Sequence, residues 1–319
     1  MKIIRSLAVA GIAVAMGSKA ALACSACGCT LNTDESTEGP QPGWSIDERV
    51  DYVNQNSMWQ GGGKADPSLR DPSVGDFHEV EKSTKTIFYT ATLDYASEDP
   101  WGINVAIPAQ VRWHSSYNAG DGSWGLSKSS WNDLGDIRVI GRYMGLTEDH
   151  DFGIQAGLKL PTGKTTEVFS GATANQQVDR GLQPGTGSWD ALLGFLKNGQ
   201  VTPQIQWFMT GLWDKPLNSY ANFRIGQTLT GTLGARYTGW GTVVPQFQVN
   251  AQNRWRDTGT MSMRQNSGGE IVNLSPGAFV NVSEKLSVYA FVQIPVYQRV
   301  GGLQLVPEYS ASAGVRYHF

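Results

Sequence analysis

The chain has 319 residues, a formal net charge of −3, 17% charged residues, 38 Gly and 11 each of Trp, Tyr and Phe. That composition excludes a helical multi-span membrane protein, which needs several apolar runs of about 20 residues, and a disordered chain, which would be poor in aromatics. What remains is a β-rich protein, too acidic to have an electrostatic reason to bind nucleic acid.

Residues 1–23 read as a secretory signal. Lys2 and Arg5 precede an apolar run from Leu7 to Met16, and Ala21-Leu22-Ala23 supplies the small-residue cleavage site. The run is too short to anchor in a bilayer. Cleavage leaves Cys24 first, with 22 basic against 28 acidic residues in the mature chain, a net charge of −6. A lipoprotein reading, with Cys24 acylated, competes with ordinary cleavage; the Leu expected three residues before the Cys is Ala21 here.

Cys24, Cys27 and Cys29 spell CSACGC within residues 24–43, expected to be a periplasmic segment, and no other cysteine occurs. The body therefore has no disulfide framework. Three readings stand. The thiols can converge on Cu(I) or Zn(II). The CxxC pair can exchange with a periplasmic redox or metal-carrier partner. The bland alternative is a local disulfide plus one spare or acylated cysteine. Beyond such a metal, no cofactor is implied.

From Trp44 to Phe319 the pattern has period two over segments longer than soluble strands run. In Val243 to Arg256, Val243, Phe247, Val249, Ala251 and Trp255 share one face, opposite Gln246, Gln248, Asn250, Gln252 and Arg254. Trp101 to His114 repeats the alternation between two tryptophans. Apolar faces that begin and end in aromatics are the lipid face and interfacial girdles of a transmembrane barrel. The expected fold is all-β: an antiparallel up-and-down transmembrane barrel over 44–319, about 12 strands, both termini periplasmic. The strands are predicted at 44–57, 84–96, 101–115, 133–146, 150–161, 188–198, 201–214, 221–237, 242–256, 270–282, 285–298 and 304–319. Short turns alternate with long loops at 58–83, 116–132, 162–187 and 257–269, as in a Gram-negative outer-membrane barrel. The alternating last strand, ending on Phe319, looks like the signal for barrel insertion. Glu48 fits badly, because the alternation puts its carboxylate on the lipid face unless a bulge or the rim intervenes.

The stretches GLKLPTG (Gly157 to Gly163) and GLQPGTGSWDALLG (Gly181 to Gly194), with SVYAFVQIPVYQ and LQLVPEY near the end, resemble the phenol-degradation meta-pathway family of bacterial outer-membrane transporters. The resemblance covers roughly Trp44 to Phe319. It implies a channel for small molecules, aromatic ones among them, and supplies no catalytic residues.

The inward-facing positions carry the candidate lumen residues Arg112, Arg138, Arg142, Arg224, Arg236, Arg254, Arg256 and Arg316, with Arg49 and Lys159. Asp47, Asp51, Asp94, Asp136, Asp190 and Glu308 are the acids on the same faces. Two readings fit them: a neutralising ion-pair network, or an Arg excess that favours anionic solutes. Only four histidines occur, and His114 and Ser115, adjacent on a strand, point to opposite faces. No nucleophile elbow, zinc helix or phosphate loop is present, so an enzyme is not expected. Met261 and Met263, read as plain loop residues, are a second place where thioethers can meet Cu(I). The sequence therefore reads as a monomeric outer-membrane channel for small solutes, in contact with lipid. The alternative is an envelope barrel that handles metal or redox partners through CSACGC.

Overall fold

The computed structural model describes residues 31–33, 41–66, 79–119, 124–171 and 174–319. Residues 1–23, read as a secretory signal, and the three cysteines lie outside these residues. Among those described, no helix is long and apolar enough to cross a membrane. The fold is a closed antiparallel β-barrel.

Fourteen strands are hydrogen-bonded into one sheet. They are β1 (Gly43–Gly61), β2 (Gly63–Lys64), β3 (Glu79–Ala96), β4 (Trp101–Ala119), β5 (Trp124–Leu134), β6 (Arg138–Tyr143), β7 (Phe152–Lys159), β8 (Ser170–Gly171), β9 (Asp190–Thr202), β10 (Ile205–Pro216), β11 (Thr228–Tyr237), β12 (Val243–Arg254), β13 (Gly269–Asn281) and β14 (Leu286–His318). Eleven of them form the ring, and β2, β5 and β8 stand outside it. β14 is 33 residues long and makes two passes. Its first half pairs with β13 up to Val300. It reverses at Gly301-Gly302, where Gly302 has φ +66°, and its second half pairs with β1. The expected twelve passes across the membrane are therefore present. Closure leaves no unpaired edge in the hydrocarbon, where each unsatisfied backbone group costs several kcal/mol.

Side-chain alternation sets the two faces. On β12, Gln248 and Asn250 are buried inward, while Phe247 is exposed outward. On the first pass of β14, Tyr289, Phe291 and Gln293 point in, and Val288, Val292 and Ile294 point out. Trp44, Tyr95 and Trp101 form a contiguous belt, with ring centroids 4.9 and 5.5 Å apart. Trp113 is exposed on the same face of β4 as Trp101. Twelve residues at about 3.3 Å each, tilted by about 40°, separate the two by roughly 30 Å. That is the thickness of a bilayer core. The C-terminus is stitched to this lower belt, because the Phe319 amide donates to the Trp44 carbonyl at 3.0 Å.

Several local expectations need correction. The strand expected at 133–146 is broken. β5 and β6 pair with successive stretches of β4, and residues 135–137 interrupt them. The loop expected at 116–132 is the hairpin of β4 and β5. β9 runs on to Thr202, because Pro203 lacks the N–H to continue the ladder and so sits in the turn. β11 begins at Thr228 rather than 221, because Ala221 and Asn222 have φ +47° and +60°, left-handed values a strand cannot hold. Glu48 is not rescued by a bulge. The register of β1 against β3 and β14 is unbroken around it, and it stays exposed on the outer face.

Leu31, Asn32 and Thr33, the described part of residues 24–40, lie inside the barrel. Leu31 packs on Phe279, Tyr289 and Phe291. The Asn32 amide nitrogen donates to Gln248 at 3.2 Å, its side chain donates to Thr210 at 2.9 Å, and its carbonyl accepts from Gln248 at 2.7 Å. These partners lie on β10, β12, β13 and β14, so three residues line one side of the lumen. Inward aromatics on β13 and β14 leave an apolar patch that water wets poorly, and Leu31 covers it.

Candidate functional site: the barrel lumen

A cavity of about 520 Å³ occupies the lumen between Leu31–Thr33 on one side and residues 180–186 on the other. Its wall carries seven cations, Arg49, Arg112, Arg138, Lys159, Arg180, Arg254 and Arg316, against six anions, Asp47, Asp51, Asp94, Asp136, Asp190 and Asp214. The near balance shows in the geometry. Arg49 binds Asp51 at 2.9 Å, Arg138 binds Asp214 at 3.0 Å and Arg316 binds Asp47 at 3.2 Å. Lys159 sits between Asp190 at 2.6 Å and Asp136 at 3.4 Å. Low dielectric makes each unpaired charge here expensive, so the lumen neutralises itself.

The eight predicted arginines divide. Arg112, Arg138, Arg254 and Arg316 line the cavity. Arg112 is buried; its Nε donates to Thr86 at 2.8 Å and its Nη1 to the Leu182 carbonyl at 2.6 Å, with the guanidinium over Phe88 and Trp131. Arg254 binds Asp257 at 2.7 Å. Arg142 and Arg236 are buried but not part of the cavity wall. Arg142 grips Asp94 through both Nη atoms, at 2.5 and 2.7 Å. Arg236 lies over the Phe208 ring at 5.0 Å. Arg224 donates to the Pro216 carbonyl in the loop before β11. Arg256 is exposed, because β12 ends at Arg254 and the alternation ends with it. Glu308 is also outside. The partners of Gln55 and Val53 on β14 are Pro307 and Ser310, so an extra residue is inserted there and the facing reverses. Above that bulge Leu303 and Leu305 are buried and pack with Met58, Ala65 and Val80.

The segment between β7 and β9 was expected to be an outer loop. Part of it folds into the barrel. Asp136, in the break between β5 and β6, accepts the Gly163 amide at 2.9 Å, the Thr186 amide at 2.9 Å and the Thr186 hydroxyl at 2.8 Å. Gly163 and Gly185 meet backbone to backbone; a Cβ on Gly185 would lie 2.3 Å from the Gly163 carbonyl oxygen. The PTG and QPGTG stretches are thus the two ends of one clamp. Between them Val178 and Leu182 pack under Trp131 and Phe169, and Arg180 and Gly181 reach the cavity. Arg180 escaped the sequence reading because nothing in a loop's composition says that it turns inward. The PTG and QPGTG repetition of Pro, Thr and Gly was the available signal.

A scan of protein-family models finds no match, and a search of curated proteins finds none. Among solved structures, the COG4313 outer membrane channel from Pseudomonas putida F1 superposes with a TM-score of 0.62 at 13% identity, covering 91% of this chain and 100% of that one. The Ralstonia pickettii toluene transporter TbuX (TM-score 0.46, 10% identity, 88% and 90% coverage) and the CymD monoaromatic hydrocarbon channel (0.44, 10%, 88% and 89%) are more distant. The first likeness is one of fold. Together with the apolar outer wall and its two aromatic belts, it defines the class: a β-barrel of the Gram-negative outer membrane.

Proposed function

We propose that the protein is a narrow outer-membrane channel for small solutes that carry both an apolar body and a polar or anionic group. The observation that carries this reading is the lumen wall. It mixes a nearly balanced set of charges with Phe88, Ile140, Leu212 and Ile225 around about 520 Å³. A general porin has an open aqueous lumen, whereas this one is narrowed by Leu31–Thr33 and by residues 180–186. The test is single-channel recording in a planar bilayer under a salt gradient. Small discrete steps with weak anion preference are expected, since the wall carries one cation more than anions. Blockade of those steps by aryl acids, and not by sugars of similar size, would support the amphipathic specificity. A folded barrel that is silent to ions and leaves aryl solutes outside proteoliposomes would overturn the reading.

A further inference from the structure

Arg180 differs from the other cations of the lumen. It is 5% exposed and lines the cavity. Its Nη1 donates to the Thr165 carbonyl at 2.8 Å. Its Nε and Nη2 have no hydrogen-bond partner among the described residues. Among the described residues no carboxylate pairs with it; Asp179 attracts it only through space, while that side chain caps the Gly181 amide at 2.7 Å. The guanidinium lies over two rings, 5.2 Å from the Tyr220 centroid and 5.9 Å from Phe223.

The two unpartnered nitrogens are the pair that matters. Nε–H and one Nη2–H of an arginine lie parallel on the same edge, at the spacing of the two oxygens of a carboxylate. Leaving that edge desolvated and empty is costly, and ring contacts offset only part of the cost. Elsewhere in this lumen the paired cations already have their anion: Arg49, Arg138, Arg254, Arg316 and Lys159 each bind an aspartate. We infer that the Nε/Nη2 edge of Arg180 is a binding station for the carboxylate of an aromatic acid in transit, with Tyr220 and Phe223 receiving its ring. The inference rests on the lumen being a solute path.

The surroundings fit that occupant. Phe223 is buried, whereas Tyr220 is 45% exposed, so Tyr220 is the ring that can swing to admit a ligand. Tyr220 also presses on Gly187, where a Cβ would lie 2.4 Å from its ring. Pro184 and Ile225 lie on the adjoining cavity wall. A neutral hydrocarbon finds the same apolar surface but leaves the arginine edge unpaired, so an acid should be retained and its neutral analogue should not.

Calorimetric titration of the detergent-purified barrel with benzoate, and separately with benzyl alcohol, tests the station without requiring conduction. Native protein should bind benzoate. Arg180→Gln should weaken that binding by about tenfold or more, and Arg180→Lys should lose an intermediate amount because it keeps the charge but not the fork. Arg264→Gln, on an exposed loop residue, should change nothing. Heat-dependent gel mobility establishes that each variant is a folded barrel. Benzoate binding unaltered in folded Arg180→Gln, or benzyl alcohol binding with equal dependence on Arg180, overturns the station. Binding by Arg180 in a barrel that transports nothing would leave the station standing and sink the conduit. Discrete conductance without such binding would do the reverse.

Discussion

A single buried pair shows how charge is handled inside this barrel. Asp94 and Arg142 are 6% and 5% exposed and joined by two short hydrogen bonds. Arg142 also lies against Gly102, where a Cβ would come within 2.7 Å of the guanidinium. Asp94→Asn keeps the shape and removes the charge, so the guanidinium is left buried without its counter-charge. The expected cost is about 3–5 kcal/mol, read as a lower temperature for the folded-to-unfolded shift on gels. Lys64→Ala, which removes a 4.0 Å pair whose side chains are 72% and 61% exposed, should leave that temperature unchanged. Asp151, just before β7, gives a pH prediction. The hydrogen bond from Lys197, then that from Thr147, holds its carboxyl below the usual carboxylate value. A lowered folded-state pKa means the pair stabilises at neutral pH, and this contribution disappears as pH falls through that lowered value. Asp151→Asn should therefore flatten the acid side of the stability profile slightly. Added salt should shrink the difference, because both side chains are partly open to solvent.

At the scale of the element, the most informative feature is a strand that fails. Residues 135–137 interrupt what would be a single pass, and the interruption frees Asp136 to accept three hydrogen bonds from the β7–β9 segment. The Gly163–Gly185 contact leaves no room for a side chain. Gly185→Ala must therefore push the two backbones apart and loosen the clamp. Faster proteolytic cleavage within 160–189, together with larger channel conductance, is the expected result. Gly62→Ala, with nothing within 4 Å of the added carbon, is the matched control and should behave as native. The sequence made the passes legible, because a strand that faces lipid on one side and polar lumen on the other must alternate along its length. It also made the GLKLPTG and QPGTG stretches stand out. It could not say that they touch, because that contact depends on a break in a third strand. Arg256 and Glu308 went astray for a related reason. Alternation predicts facing only while the ladder is regular, and a strand end or one inserted residue reverses it.

For the whole molecule, the balance of forces differs between wall and lumen. The wall is held by continuous ladders on both sides of nearly every pass. The N-terminal residues in the lumen are attached differently. Leu31 covers three aromatic rings, Asn32 bonds across to β10 and β12, and Thr33 accepts from Arg316. None of these bonds belongs to the barrel ladder. Stability and occlusion should therefore separate experimentally. Leu31→Asp places a carboxylate against Phe279, Tyr289 and Phe291 and should expel the segment, because burying an unpaired charge there costs more than the contacts return. The expected phenotype is a barrel with nearly native thermal stability and a clearly larger single-channel conductance. If conductance rises only in proportion to a loss of stability, the segment is part of the structural core. If stability holds while conductance rises, the three residues act as a restriction laid inside a finished barrel. The one-cation surplus of the wall should then be felt more weakly, because a wider lumen screens it with more water and salt.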